Sequence, residues 1–213
     1  MEKKYYPELD VVKGIAILMV IMGHSFCSHP IDLGAQLPTA FQQIISCCQM
    51  PLFFVASGFL FSPKGTWADF FRKKGMRLLV PYVTFSILTI SLRYAFAPFT
   101  NSGAPNLASS VLSVLTGGFY WFLYVLFIIM VVCKLVVKDV AIAAIGVVSL
   151  IASLLVSDVP PIVSRLILYP FFFVGGISLR KYYHRILDKL SVPVTLTYAV
   201  ISSVGYGVLN GGG

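Results

Sequence analysis

The chain has 213 residues, of which 58% are hydrophobic, 14% aromatic and only 11% charged. A soluble domain is about a quarter charged, so these few charges leave a water-facing surface largely uncovered. Seventeen Phe and eleven Tyr exclude a disordered chain. The net charge of +8 does not point to nucleic acid, because the basic residues fall in short clusters between apolar runs. Composition therefore specifies an integral membrane protein.

Residues 14–31, 33–63, 94–133, 140–157 and 190–213 contain no Asp, Glu, Lys or Arg. A membrane-crossing helix needs about 20 mostly apolar residues. Cutting the runs at Pro30, Pro38, Pro98, Pro105, Pro160-Pro161 and Pro193 gives seven expected helices. They fall at 11–29, 42–61, 78–97, 119–137, 140–157, 161–179 and 192–210. The runs are continuous rather than alternating, which favours helices over a barrel. The expected fold is all-α, a polytopic transmembrane bundle of about seven spans.

Thirteen of the sixteen Lys and Arg lie in the N-terminal tail, in 62–77, in 134–139 and in 180–189. The alternate connections, 30–41, 98–118 and 158–160, have none. This asymmetry places the N-terminus and all basic segments on the cytoplasmic side. The other three, Lys13, Arg93 and Arg165, stand at helix ends. In the 98–118 connection Leu107, Val111, Leu112 and Leu115 recur at helical spacing, as for a helix lying on the outer surface. The four Cys show no metal-ligand spacing, and no metal is expected.

The first span holds the informative polar residues. Lys13 and His24 are 11 residues apart, three turns plus about 20°, and share a face with a rise of about 16 Å between them. Asp10 lies one turn before Lys13, within ion-pair reach. Lys13 sits near the cytoplasmic interface and His24 deeper, and an ionisable group at such depth marks a functional site, with the imidazole expected inside the bundle facing protein or water. The bland alternative is a snorkelling Lys13 and an interhelical hydrogen bond from His24. His29 reads as interfacial and His184 as a surface residue.

The run Leu9-Asp10-x-x-Lys13-Gly14-x-Ala16 followed by His24-Ser25 resembles the start of the acyltransferase-3 family of membrane acyltransferases. Four further stretches match in order. They are Met50–Phe59, then Lys73, Lys74, Arg77 and Leu78–Tyr82, then Tyr120–Tyr124, then Pro170–Gly175. The family has more helices than this chain, so the resemblance implies a family domain over 5–210 that lacks its C-terminal helices. It also departs from the family at position 13, where Arg is commoner; Lys keeps the charge but loses the fork.

The resemblance implies transfer of an acyl group, usually acetyl, from cytoplasmic acyl-CoA to a hydroxyl of a sugar or envelope polymer. Acyl-CoA is a co-substrate and no permanent cofactor is implied. The lipid bilayer and a polysaccharide acceptor are the other partners, and the location is the inner, cytoplasmic membrane. His24 is the candidate general base, with Lys13 either contacting the donor or neutralising charge along the path of its arm, and Asp10 orienting Lys13. Arg72, Lys73, Lys74 and Arg77 are candidates for docking the donor phosphates, although basic loops also serve orientation alone. Trp121 and Tyr124 line the channel or form an interface belt, and Ser57 binds acceptor or packs beside Gly58. Two other readings stay open: a transporter or flippase-like protein, and an inactive truncated relative.

Overall fold

The computed structural model describes residues 5–28, 37–99, 106–136, 139–156 and 158–189. Among the described residues all regular structure is helical. The described residues form seven α-helices: α1 (Pro7–Ser28), α2 (Leu37–Phe59), α3 (Trp67–Ala95), α4 (Leu107–Leu115), α5 (Trp121–Leu135), α6 (Asp139–Leu155) and α7 (Pro161–Lys189). The chain divides into two compact units, Met1–Ile177 and Ser178–Gly213, and α7 contributes to both.

Six of the expected spans coincide with helices, while the one at 192–210 and His29 lie outside the described residues. Two corrections concern basic segments expected to be loops. Residues 67–77 and 180–189 are helical, as extensions of α3 and α7. The reason is that charge reports where lipid would end, not where a helix ends. Neither stretch contains a proline, and Gly75, the one glycine in them, falls at the end of a wide turn within the helix. α3 and α7, over Trp67–Ala95 and Pro161–Tyr183, are long and apolar enough to cross a membrane. α5 and α6, with 15 and 17 residues, fall short of the usual span.

Local chemistry sets the helix ends. Thr66 caps α3, its hydroxyl accepting from the Asp69 amide at 3.1 Å. Within α3, Phe71–Gly75 forms one wide π-type turn that carries Arg72, Lys73 and Lys74. Asn106 caps α4 by accepting from the Ala108 amide at 2.8 Å. The helical spacing of 107–115 thus does form a helix, with Leu107, Val111, Leu112 and Leu115 exposed. Gly117, at φ +77°, supplies the left-handed turn between α4 and α5.

The core gathers α2, α5 and α7 around Phe54, Val125, Cys133 and Phe173, all fully enclosed. α1 packs against α2. Their adjoining ends meet through the Tyr6 and Phe59 rings, edge to face at 5.0 Å. α2 and α7 approach until their backbones touch at Gly58 and Gly176. The outward faces of α1, α3 and α6 remain apolar, with Leu18, Leu88 and Leu154 exposed. Apolar surface on that scale marks a face meant for lipid or protein.

Two polar side chains hold the bundle in ways that the sequence reading missed. Pro170 interrupts the α7 hydrogen-bond ladder. Ser149 of α6 repairs it: its hydroxyl donates to the Ile167 carbonyl and accepts from the Phe171 amide at 3.1 Å. Lys134, counted from sequence only as an inside charge, is buried. Its ammonium donates to the Pro63 and Gly65 carbonyls at 2.9 and 3.0 Å and lies over the Trp67 and Phe70 rings. Lys134→Met keeps the stem and deletes the donors, which costs about 1–3 kcal/mol. Limited proteolysis should then cut the 60–66 segment several-fold faster, and an unchanged rate would show that the ammonium does not hold it.

Candidate functional site

The site begins on α1. Among its residues of described burial, Ala16 and Gly23 are buried, seven residues apart on one side. At Gly23 a Cβ would stand 3.0 Å from Gln49 Oε1 and 3.5 Å from Ile45, so this side lies on α2. Lys13 is about 60° around the helix from Ala16, and His24 about 100° from Gly23. That geometry leaves Lys13 half-buried at the edge of the α1–α2 contact and His24 exposed beyond it. The sequence reading put the imidazole inside the bundle. The ring is instead exposed, because Gly23 rather than His24 occupies the contact.

At the start of α1 the short-range pairing expected from spacing is present. Lys13 Nζ lies 3.5 Å from Asp10 Oδ1, and the Tyr5 hydroxyl donates to Asp10 Oδ2 at 2.8 Å. Tyr5 was not singled out from sequence. Its position five residues ahead of Asp10, outside the helix, gave no periodic signal. Asp10 precedes the predicted span, and the Tyr5 hydroxyl, aided by Lys13, holds its carboxyl below the usual carboxylate range. A lowered carboxyl contributes above its ordinary titration range and loses that contribution as pH falls through the lowered value. Tyr5→Phe therefore raises the Asp10 titration, and the pair to Lys13 opens at a higher pH. A carbon-13 NMR titration of the Asp10 carboxyl reads this directly; no upward shift would remove Tyr5 from the cluster.

The candidate donor-docking residues sit together at the start of α3. Arg72 is 3.9 Å from Asp69, while Lys73 and Arg77 are exposed and Lys74 is half-buried. Arg72 therefore carries a local counter-charge that the sequence reading did not assign. Arg77 forms no ion pair among the described residues. The wide turn at Phe71–Gly75 places the three basic residues of the cluster on consecutive positions around the axis.

The three candidate channel residues are half-buried and lie on three separate contacts. Ser57 precedes Gly58, whose Cβ would overlap the Phe173 carbonyl, so Ser57 stands at the tightest crossing of α2 and α7. Tyr124 packs against Gly117 and lies 5.8 Å from the Tyr82 ring. The Tyr82 hydroxyl donates to the Val114 carbonyl, tying α3 to α4. Trp121 faces Tyr169 at 5.2 Å, and Arg165 lies on its other contact, 4.2 Å from the ring centre. The structure thus joins Asp10 to Lys13 and groups Arg72–Arg77. It leaves Ser57, Tyr124 and Trp121 on separate contacts.

All of this arrangement except Tyr5 lies within a match to the acyltransferase domain of the acyltransferase-3 family, over residues 6–213. The chain belongs to that family. The match begins one residue before α1 and includes every candidate named above. No curated protein and no solved structure matches the chain. Family membership makes the chain an acyltransferase by domain, and the finer chemistry has to be argued from its residues.

Proposed function

We propose that this acyltransferase is a multi-pass protein of the inner membrane that moves an acyl group, acetyl in the first instance, from cytoplasmic acyl-CoA to a hydroxyl of a sugar or envelope polymer. The observation that carries the reading is the ordered polar stripe on α1 of a family member, with Asp10 and Lys13 paired at 3.5 Å and His24 about 16 Å further along the helix. Two helices of spanning length and apolar outward faces support the membrane setting.

In this reading the donor phosphates dock on Arg72, Lys73, Lys74 and Arg77, where cations offer charge-assisted bonds. The acyl arm passes Lys13 toward His24. The acceptor hydroxyl attacks the thioester carbonyl carbon while the His24 imidazole takes its proton. Collapse of the tetrahedral adduct breaks the carbon–sulfur bond. The departing thiolate takes the proton back from the imidazolium and leaves as free CoA. His24 is exposed on α1, one position beyond the Gly23 contact with α2.

The test uses the chain in proteoliposomes made with extracted envelope polysaccharide. Acetyl-CoA labelled in the acetyl group is added on one side. The expected result is label in an alkali-labile ester on polysaccharide. Label that crosses the membrane still attached to CoA, without ester formation, would establish a transporter and end the transferase reading.

A further inference from the structure

Arg165 is one of three cations that the basic clusters do not account for, and in the proposed topology it stands at the outer end of α7. Cations near lipid at that side are normally paired or in use. Here the charged head lies on an aromatic ring, 4.2 Å from the centre of Trp121. Trp121 lies 5.2 Å from Tyr169, and Tyr169 stacks on the enclosed Phe54 at 4.4 Å and 16°. One guanidinium and three rings therefore form a continuous column from the start of α7 to the centre of the core.

The column fixes what the guanidinium has left to offer. The ring contact engages no hydrogen bond, so it leaves the five N–H donors of the planar fork to other partners. Among the described residues no carboxylate lies within 4.0 Å of Arg165 and none accepts a hydrogen bond from it. A snorkelling Arg lays its alkyl stem on apolar surface and carries its head away. In this chain the head itself is seated on the ring, and among the described residues its donors have no hydrogen-bond or ion-pair partner.

We propose that Arg165, held on Trp121, is an oxyanion clamp for the acceptor, selecting a saccharide that bears a carboxylate or phosphate ester. The inference rests on the acyl-transfer reading, because that reading brings a saccharide to the outer side. Two oxygens of the oxyanion pair with the open fork, and the indole beneath prevents the fork from turning away. A neutral saccharide leaves the fork unpaired. Arg165 is a specificity residue and takes no part in the chemical step.

The experiment uses the full chain in nanodiscs of zwitterionic lipid. Trp67→Phe leaves Trp121 as the single tryptophan, which excitation at the red edge of its absorption selects over the eleven Tyr. The probes are a uronate-terminated tetrasaccharide and the same saccharide with its carboxyl reduced. The charged probe should change the Trp121 emission saturably, and the reduced probe should bind about ten- to a hundred-fold more weakly. Arg165→Gln should bring the charged probe down to the neutral level, and Arg165→Lys should recover part of the difference as a point charge. Equal affinity for the two probes on the unsubstituted Arg165 overturns the clamp without relying on any variant folding. In a second arm anionic phosphatidylglycerol replaces some of the lipid and no saccharide is added. An Arg165-dependent emission change there, with no saccharide binding, makes the fork a headgroup anchor and also overturns the clamp. Charge-selective binding without label transfer defeats the transferase reading alone, and label transfer with charge-blind binding defeats the clamp alone.

Discussion

His24→Ala should lower acyl transfer by about 10²–10⁴-fold, the range that a positioned general base supplies, and should leave the bundle folded. The second half of that expectation follows from the geometry of α1. Its contact with α2 is made by Ala16 and Gly23, which are buried, and His24 is exposed. Truncating it opens no cavity in the core. Thermal unfolding in detergent should stay close to the parent, well short of the roughly 2–5 kcal/mol that emptying a core position costs. Initial rates of labelled ester formation give the first quantity, and added free imidazole should restore part of the lost rate by standing in for the side chain. Full activity in the substituted protein would remove His24 from the chemistry. Lost activity together with lost stability would make it a structural residue.

How much of this site was legible in sequence differs from residue to residue. The Asp10–Lys13 pair was legible because three residues along a helix is a fixed distance, whatever surrounds it. The shared face of Lys13 and His24 followed from the same periodicity. What that face would meet did not follow. Periodicity says which residues stand together on a helix and nothing about which neighbour arrives, so the enclosure expected for His24 is found at Gly23. The basic stretches 67–77 and 180–189 were misjudged for a related reason: charge marks a change of solvent, and a helix crosses such a boundary unbroken. Ser149 and Lys134 were missed because each serves a distant segment, the ladder broken at Pro170 and the carbonyls of Pro63 and Gly65. Pro170 did give a signal, since a proline within an apolar run obliges some other group to satisfy the backbone it frees.

Gly176→Ala should destabilise the fold by about 3 kcal/mol or more, while Gly175→Ala beside it should be neutral or slightly stabilising. The two residues are adjacent on α7 and differ in what stands opposite. A Cβ at Gly176 would lie 2.1 Å from the Val55 carbonyl oxygen and 2.9 Å from the Phe59 amide nitrogen, both backbone atoms of α2. The reciprocal contact is as tight: a Cβ at Gly58 would lie 1.9 Å from the Phe173 carbonyl oxygen. Backbone cannot rotate aside as a side chain does, so one added carbon must push two whole helices apart. Overpacking costs about 1–3 kcal/mol where side chains can yield, and the upper end or beyond is expected where they cannot. Phe54 and Phe173 flank this crossing fully enclosed, so separating α2 from α7 also loosens the core. At Gly175 no atom stands within 4 Å of the added carbon, and the gain in helix propensity of Ala over Gly acts alone, at about 1 kcal/mol at most. In a lipid setting small residues at a crossing do the work that apolar burial does in water, since helices gain little by hiding apolar surface from lipid. The measurement is a pair of unfolding curves in the same detergent. Equal midpoints for the two alanine variants would show that α2 and α7 do not touch through their backbones at Gly176. Ser57, one residue before Gly58, would then lose the rigid frame on which any role in acceptor binding depends.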